Sequence, residues 1–118
     1  MRTVPSQPQG VGTIVRAPSD ELDIAAVPEL RARLAAAHRP GAQVVLDMRE
    51  VTFMDSSALA VVLAADRRLE AAGGALRLAN VAARVRRVLR ICGLAHLVLP
   101  TSAEQLRRKV CRAAHLMH

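Results

Sequence analysis

Short apolar runs rich in β-branched residues alternate along the chain with longer segments whose apolar positions recur at helical spacing. The short apolar runs are typical of buried strands, and the helical spacing of apolar residues is typical of amphipathic helices. The predicted strands are 11–17, 43–48, 76–80 and 96–99. The predicted helices are 23–37, 56–72, 80–92 and a last one from Thr101 onwards. This alternation predicts an α/β fold with a mostly parallel sheet of about four to five strands, covered by about four helices.

The predicted helix boundaries rest on residues with strong positional preferences. Asp23 is the predicted N-cap of the first helix, but Pro28 belongs in a first turn and moves the start towards Ala26 or Val27. Ser56 and Asn80 are the predicted N-caps of the next two helices. Glycines or prolines follow each of these helices, and we expect the helices to end there.

These elements are predicted to form one domain. Residues 1–10 contain two prolines, two glutamines and a glycine, and we expect a flexible tail ahead of a domain spanning 11–118. A chain of 118 residues suffices for one hydrophobic core, and a hydrophobic content of 52% excludes a disordered composition. Phe53 is the only aromatic residue, so leucine, valine, isoleucine and alanine have to build that core.

The sequence predicts a cytoplasmic protein without a membrane span. No apolar run reaches the roughly 18 residues of a transmembrane helix, and the N-terminus lacks the apolar segment of a signal peptide. Cys92 and Cys111 fit no metal or redox spacing and fall on apolar stripes, so we predict two buried free thiols. The stripe of the third predicted helix consists of Val85, Val88, Leu89 and Cys92.

The net charge of +7 is concentrated in the second half of the chain. Residues 1–66 carry six arginines against eight acidic residues, whereas 67–118 carry eleven basic residues against two acidic ones. Such asymmetry can indicate a nucleic-acid surface, but here it comes with no aromatic platform and no nucleic-acid motif. We therefore predict solvated helix faces, including the arginines of 84–90, and no direct contact with nucleic acid.

The stretch VTFMDSSAL, residues 51–59, places an acid and two hydroxyls between segments that otherwise belong to a core. In parallel α/β folds, ligands and chemistry gather where strands end and helices begin. Position alone favours a purely structural role for each residue. Ser56 would be a helix cap, and Asp55 would be a polar residue at the end of a strand. A role beyond that has to be argued from the wider sequence around the junction.

The string VVLDMREVTFMDSSALAVVLAADRRLEAAGGALRLANVAARVRRVLRICGL resembles the STAS domain, in particular the bacterial anti-sigma factor antagonists. Upstream, ELDIAAVPELRARL resembles the acidic Leu-Asp segment that opens the first helix in that family. The resemblance covers about residues 10–100 and implies a single STAS-like α/β domain. The family's opening strand has no clear counterpart in the proline-bearing tail, and Asp20 stands where a glycine commonly precedes Glu-Leu-Asp.

The resemblance also implies roles for individual residues. In the family, the hydroxyl residue directly after the motif acid is a reversible phosphorylation site, which here falls on Ser56. The Leu-Asp acid falls on Asp23, expected at the same end of the sheet, and the acid after the central strand falls on Asp47. Ala58 stands where the family usually has glycine. The residues expected to contact a partner are Asp23, Asp55, Ser56, Ser57 and Ala58.

The function that the resemblance implies is that of a binding protein rather than an enzyme, with no cofactor and no metal. Unphosphorylated, it would bind an anti-sigma factor that is also a serine kinase, and so free a sigma factor. That kinase would inactivate the protein by phosphorylating Ser56 with ATP, and a serine phosphatase would restore it. The alternative is a STAS subunit of another assembly, such as a lipid-transport or signalling complex, without a phospho-switch.

Other chemistries fit the sequence less well. A phospho-acceptor receiver domain would use Asp47, but no acidic pair follows an early strand and the only lysine is Lys109. A serine hydrolase is disfavoured because Ser56 lacks a nucleophile elbow and no histidine is spaced to act as its base. His115 and His118, at the C-terminus, indicate a frayed helix end rather than a metal site.

Overall fold

The computed structural model describes residues 12–100. The strands are β1 (Thr13–Arg16), β2 (Glu21–Leu22), β3 (Gln43–Asp47), β4 (Phe53–Met54) and β5 (Ala75–Ala79). The helices are α1 (Val27–Ala37), α2 (Ser56–Ala71) and α3 (Ala83–Ile91), with 3-10 turns at Ile24–Ala26 and Ala95–Leu97. The predicted tail 1–10, the first residue of the predicted strand 11–17, Cys111 and the last predicted helix lie outside the described residues.

The strands pair in parallel and form two sheets. The larger sheet has the order β1-β3-β5, with Leu46 of the central strand lying between Val15 and Leu78. The smaller sheet consists of β2 and β4, with Leu22 opposite Met54. The α/β class and the parallel pairing are confirmed. The predicted single sheet of four to five strands is wrong for residues 12–100, where three strands and two strands pair separately.

Pro18 separates the two sheets. The Ala17 N–H donates to the Asp47 carbonyl at 3.1 Å and ends the first ladder, since proline has no N–H with which to continue it. Pairing resumes where the Thr52 N–H donates to the Asp20 carbonyl at 2.8 Å. The same two chain segments therefore pair twice, first as β1 with β3 and then as β2 with β4.

The predicted strand 96–99 is replaced by the 3-10 turn Ala95–Leu97, and a single bridge joins Val98 to β5. Leu94 and Leu97 are both buried, because a spacing of three residues places them on one side of a 3-10 turn. An extended strand would direct them to opposite faces and expose one of them. Burial of both leucines thus favours the turn.

The helices lie near their predicted limits, but all three predicted caps are wrong. Asp23 caps the 3-10 turn Ile24–Ala26, and α1 begins after Ala26 without a side-chain cap. Helix α2 is capped by Asp55, whose backbone is extended (φ −102°), and Ser56 is the first helical residue. Helix α3 begins after Ala82 without a side-chain cap. Asn80 instead adopts a left-handed φ of 58°, which asparagine tolerates better than most residues, and turns the chain out of β5. The prediction that Pro28 lies in the first turn of α1 is confirmed.

One hydrophobic core lies between the larger sheet and the helices. Helix α1 contributes Leu30 and Leu34, and helix α2 contributes Val62 and Leu69. Helix α2 contacts both α1 and β5, so it is held along its length. Burying one leucine side chain stabilises the fold by roughly 1.5–3 kcal/mol. This packing fixes the position of the N-terminal end of α2.

Helix α3 packs on the core through Val85 and Leu89, while Val88 is half-buried. The prediction that Cys92 is buried is wrong, because its side chain is exposed. Helix α3 ends at Ile91, so the residue after it no longer follows the helical stripe. The apolar stripe of this helix is therefore one residue shorter than the sequence spacing indicates.

Candidate functional site

The smaller sheet places two acidic residues side by side. Leu22 pairs with Met54, and each strand is followed directly by an aspartate, Asp23 after β2 and Asp55 after β4. The Asp55 N–H donates to the Leu22 carbonyl at 3.0 Å, which joins the two strand exits. The two acids that the sequence analysis assigned to one end of a sheet thus lie at a common edge.

Asp55 caps helix α2 through a single oxygen. Its Oδ1 accepts from the N–H of Ser57 at 3.0 Å, from the N–H of Ala58 at 3.2 Å and from the Ser57 hydroxyl at 2.6 Å. The Ser57 hydroxyl is the main cause that lowers the pKa of Asp55, and the backbone N–H groups of Ala58, Ser57 and Ile24 lower it further. Burial acts in the opposite direction. The carboxylate is therefore held in its charged form.

Asp23 caps the 3-10 turn Ile24–Ala26 in the same manner. Its Oδ1 accepts from the N–H of Ala25 at 3.1 Å and from the N–H of Ala26 at 3.3 Å. The backbone N–H of Ile24 also contributes to the lowered pKa of the Asp55 carboxylate. The first residue of this turn therefore lies near the acid that caps α2.

An open groove of about 380 Å³ lies beside Asp23. Three acidic residues line it, namely Glu21, Asp23 and Glu29. Glu29 accepts a hydrogen bond from Arg33 Nε at 2.9 Å, so part of this charge is balanced within the protein. The carboxylates of Glu21 and Asp23 form no ion pair within residues 12–100. The groove therefore presents a net negative surface to a binding partner.

The two serines at the start of α2 differ in exposure and in bonding. Ser57 is half-buried, and its hydroxyl is engaged by Asp55. Ser56 is exposed, and its hydroxyl has no hydrogen-bond partner within residues 12–100. Thr52, the third hydroxyl of this segment, donates to the Asp20 carbonyl at 3.3 Å. Among the three hydroxyls of this segment, that of Ser56 is thus the one without a hydrogen-bond partner in residues 12–100.

Ala58 does not belong to the accessible part of the site. Its side chain has 0% exposure and lies in the hydrophobic core. The expectation that Ala58 contacts a partner is therefore wrong for the folded domain. The residue instead contributes to the site through its backbone N–H, which donates to Asp55 at 3.2 Å.

Two large apolar side chains are exposed at the edge of the smaller sheet where Asp23 and Asp55 lie, which we call the acidic rim. Sequence reasoning missed both of these side chains. Ile24 is 74% exposed and Phe53 is 47% exposed. Phe53 belongs to an apolar run that is typical of a core strand, and this run gives no sign that the ring is exposed. The available signal is the alternation of a strand, which directs Phe53 to the same face as Asp55.

Asp47 lies in a separate cluster at the ends of β3 and β5. Its Oδ1 accepts from Asn80 Nδ2 at 3.0 Å and from the Arg49 N–H at 3.0 Å. The Asn80 amide is the main cause that lowers the pKa of Asp47, with smaller contributions from Arg49 and Arg16, while burial opposes them. This aspartate therefore holds the left-handed turn at Asn80 and does not join Asp23 and Asp55.

The basic residues of α3 face solvent. Arg84, Arg87 and Arg90 are exposed and form no ion pair within residues 12–100, while Arg86 is half-buried. The arginine-rich face is thus exposed as expected, and the absence of nucleic-acid binding stays a prediction.

Residues 12–100 contain no helix with the length and apolarity of a membrane span. The same part of the chain holds no group of three or more His, Cys, Asp or Glu side chains that could bind a metal ion.

The model of the STAS domain family matches residues 4–111, which is most of the chain. The chain belongs to the STAS domain family. This STAS domain is 31% identical over 78 residues to the anti-sigma-B factor antagonist of Bacillus subtilis (strain 168), an alignment that covers 66% of the chain and 72% of that relative. It is 34% identical over 87 residues to the anti-sigma F factor antagonist of Lysinibacillus sphaericus, covering 72% of the chain and 74% of that relative.

The fold of this STAS domain is also similar to solved structures of the anti-sigma factor antagonist SpoIIAA. The unphosphorylated form of that protein matches with a TM-score of 0.61 and 30% identity, over 80% of this chain and 84% of the other. The phosphorylated form, from Bacillus, matches with a TM-score of 0.57 and 33% identity, over 80% of this chain and 87% of the other.

Proposed function

We propose that this STAS domain is an anti-sigma factor antagonist, and that phosphorylation of Ser56 switches its binding off. Unphosphorylated, it binds an anti-sigma factor that is also a serine kinase and thereby frees a sigma factor. The observation that carries the proposal is the exposed, unbonded hydroxyl of Ser56, one residue after the cap of α2 and beside Asp23. The names of the two bacterial relatives and of SpoIIAA support the same role.

The start of helix α2 suits a phosphoserine. The first N–H groups of a helix and its dipole favour a negative group. At Ser56 the kinase would transfer the γ-phosphoryl group of ATP to the hydroxyl oxygen, with loss of the hydroxyl proton and release of ADP. Ser57 is less suited, because its hydroxyl donates to Asp55 and its side chain is half-buried. SpoIIAA itself has been solved in a phosphorylated form.

Phosphorylation would change the charge of the surface rather than the fold. A phosphate adds about −1.5 to −2 charges. Here these charges would appear next to Asp55, whose pKa is already lowered, and next to Asp23. A partner that fits the unmodified rim would then meet a larger group and stronger repulsion of any acidic residue of its own. Removal of the phosphate by a serine phosphatase would restore the binding surface.

The proposed role requires no catalysis by this chain. Its contribution is a surface that a partner binds or does not bind, and the kinase and phosphatase carry the chemistry. We therefore propose a binding protein without a cofactor.

The test is phosphorylation by the cognate anti-sigma factor kinase with ATP, followed by intact mass and peptide mapping. Wild type is expected to gain one phosphate, Ser56→Ala none, and the matched control Ser57→Ala one. In parallel, the unmodified protein should bind the kinase and the phosphorylated protein should not. Phosphate mainly on Ser57 or Thr52 would contradict the site assignment. Absence of both binding and modification would favour a STAS subunit of another assembly.

A further inference from the structure

The described residues expose four large apolar side chains, and two of them border the acidic rim. Ile24 is 74% exposed and Phe53 is 47% exposed, whereas Ile14 and Ile91 lie on β1 and α3. Single exposed isoleucines are common on soluble proteins and need no explanation. A phenylalanine and an isoleucine that are both exposed at the ends of two paired strands, each of which is followed by an aspartate, are a different arrangement.

Strand pairing explains why these side chains share one surface. Phe53 lies opposite Glu21 in the parallel register of β2 and β4, and in both strands the second residue is buried. Alternation along each strand then directs Glu21 and Asp23 to the outer face of one strand, and Phe53 and Asp55 to the same face of its neighbour. Ile24 follows directly after Asp23 as the first residue of the 3-10 turn, and its N–H contributes to the lowered pKa of Asp55.

Building on the proposed function, we infer that Phe53 and Ile24 are the apolar contacts through which the partner binds. The partner surface that fits them carries apolar side chains bordered by lysine or arginine. Aromatic residues are enriched at protein interfaces, and a few such side chains carry most of the binding energy. The bordering groups of the partner are expected to be positively charged because Glu21, Asp23 and Asp55 lie on the same outer face as the apolar side chains.

The fold itself gains little from these two side chains. Strand β4 has two residues, and its second residue, Met54, is the one that enters the core. A half-exposed phenylalanine leaves apolar area in water that a binding partner can cover. Ile24 lies in a 3-10 turn with no buried residue, so its packing adds equally little to the core.

The apolar contacts and the acids would then have separable effects on binding. Burial of Phe53 and Ile24 by the partner contributes affinity that is insensitive to moderate salt. The acids and a phosphate at Ser56 act through charge, and their effect falls as salt rises. One surface would thus combine apolar contacts whose contribution to affinity does not depend on phosphorylation with charges whose contribution does.

The experiment is a titration of the cognate anti-sigma factor kinase with wild type, Phe53→Ala, Ile24→Ala and the matched control Ile91→Ala, which removes an equally exposed isoleucine elsewhere. We expect Phe53→Ala to weaken binding by roughly tenfold or more and Ile24→Ala by severalfold. The control should bind as wild type does. Thermal melts of all four proteins, and of the milder Phe53→Leu, separate lost contacts from lost folding.

The outcomes distinguish this inference from the proposed function. Wild type could bind the kinase and be phosphorylated at Ser56 while both alanine variants bind as tightly as wild type. The inference about Phe53 and Ile24 is then wrong, and the proposed phosphorylation switch at Ser56 remains supported. If wild type binds no anti-sigma factor kinase, both are wrong. Sedimentation of each protein alone gives the third outcome. Self-association of wild type that Phe53→Ala abolishes would make a second copy of the chain the occupant and overturn the inference.

Discussion

Asp23 and Asp55 occupy matching positions directly after two paired strands, and each carboxylate caps the helical turn that follows its own strand. Parallel pairing of β2 with β4 brings the two caps together, and the hydrogen bond from the Asp55 N–H to the Leu22 carbonyl fixes their register. Acidic residues at N-caps are favourable for stability by themselves. Here the same two residues also give the surface around Ser56 its negative charge, so structure and proposed function use the same groups.

Ser56→Asp is expected to weaken binding to the anti-sigma factor while the domain stays folded. Ser56 is the first residue of α2 and not its cap, and an acidic residue in the first turn interacts favourably with the helix dipole. An aspartate carries less charge than a phosphate, so the loss of affinity should be partial. Binding titrations and thermal melts measure the two effects. An aspartate variant that binds as tightly as wild type would show that charge at this position is not the switch.

Ser56→Ala is the companion variant, and it should keep binding while escaping the kinase. Since Asp55 supplies the cap, loss of the Ser56 hydroxyl should change the unfolding free energy by less than about 0.5 kcal/mol, as for most surface substitutions. A much larger loss would indicate that Ser56 has a structural role that its exposure does not reveal.

Replacement of Asp55 should separate its cap from its charge. Asparagine is about as good an N-cap as aspartate, whereas alanine cannot accept the N–H groups of Ser57 and Ala58. Asp55→Ala should therefore lower the melting temperature clearly more than Asp55→Asn. Both variants remove one negative charge from the rim, so they should change salt-dependent binding to a similar extent. Equal melting temperatures would contradict the cap assignment.

Ser57→Ala should raise the pKa of Asp55 towards its ordinary value. The Ser57 hydroxyl is the main cause of the lowered pKa, and the backbone bonds remain in the variant, so the shift should be partial. A lowered pKa means that the charged form stabilises the fold above the pKa of the unfolded chain, and that this stability is lost as the pH falls through the pKa of the folded state. Carboxyl NMR titration of both proteins below about pH 5 measures the shift.

Asp66→Ala is expected to destabilise the domain by about 2 kcal/mol, because it leaves a buried donor without its acceptor. The Asp66 side chain is 3% exposed and accepts from the Leu76 N–H at 3.1 Å, with Arg77 Nη1 at 3.9 Å. Asp66→Asn keeps an oxygen that can accept from Leu76, so its cost should be smaller. Denaturant unfolding of both variants measures the loss of unfolding free energy. Equal losses would indicate that the ion pair of Asp66 with Arg77, and not the hydrogen bond from Leu76, carries the stabilisation.

The arginines of α3 should give at most weak, sequence-independent association with DNA. Such binding rests on phosphate contacts and falls steeply with added salt. Fluorescence anisotropy with two unrelated duplexes, at low and at physiological salt, measures it. Arg87→Ala should reduce the salt dependence slightly. Tight binding of one duplex that survives physiological salt would overturn this prediction.

Local sequence signals predicted most of the helices and the central strands. The apolar runs around β3 and β5 are each about as long as a buried strand, and the Pro28 position placed the start of α1 correctly. A glycine follows the C-cap residue of α2 and of α3 as expected, because a left-handed turn such as that at Gly93 (φ 77°) is open to glycine at no steric cost. These features depend on a few neighbouring residues, so the chain alone determines them.

The junction VTFMDSSAL shows what the sequence could not decide. The motif identified Ser56, but both Asp55 and Ser56 are good N-caps, and only the folded chain assigns the cap to Asp55. Likewise, only the folded chain shows that the Ala58 side chain lies in the core and that the ring of Phe53 is exposed at the surface. Hydrophobicity predicts burial only on average, whereas strand pairing determines which face of a strand is covered and therefore which of its side chains are buried.

The sequence by itself therefore determined the fold class, the family and the residue types at the junction, since each follows from local pattern or from resemblance along the chain. Only the tertiary structure decided that Asp23 and Asp55, 32 positions apart in the sequence, cap neighbouring turns, and that the Ser56 hydroxyl is free while that of Ser57 is bound. The physical reason is that these contacts depend on the parallel register of β2 and β4, which is set by long-range pairing after Pro18 interrupts the first sheet.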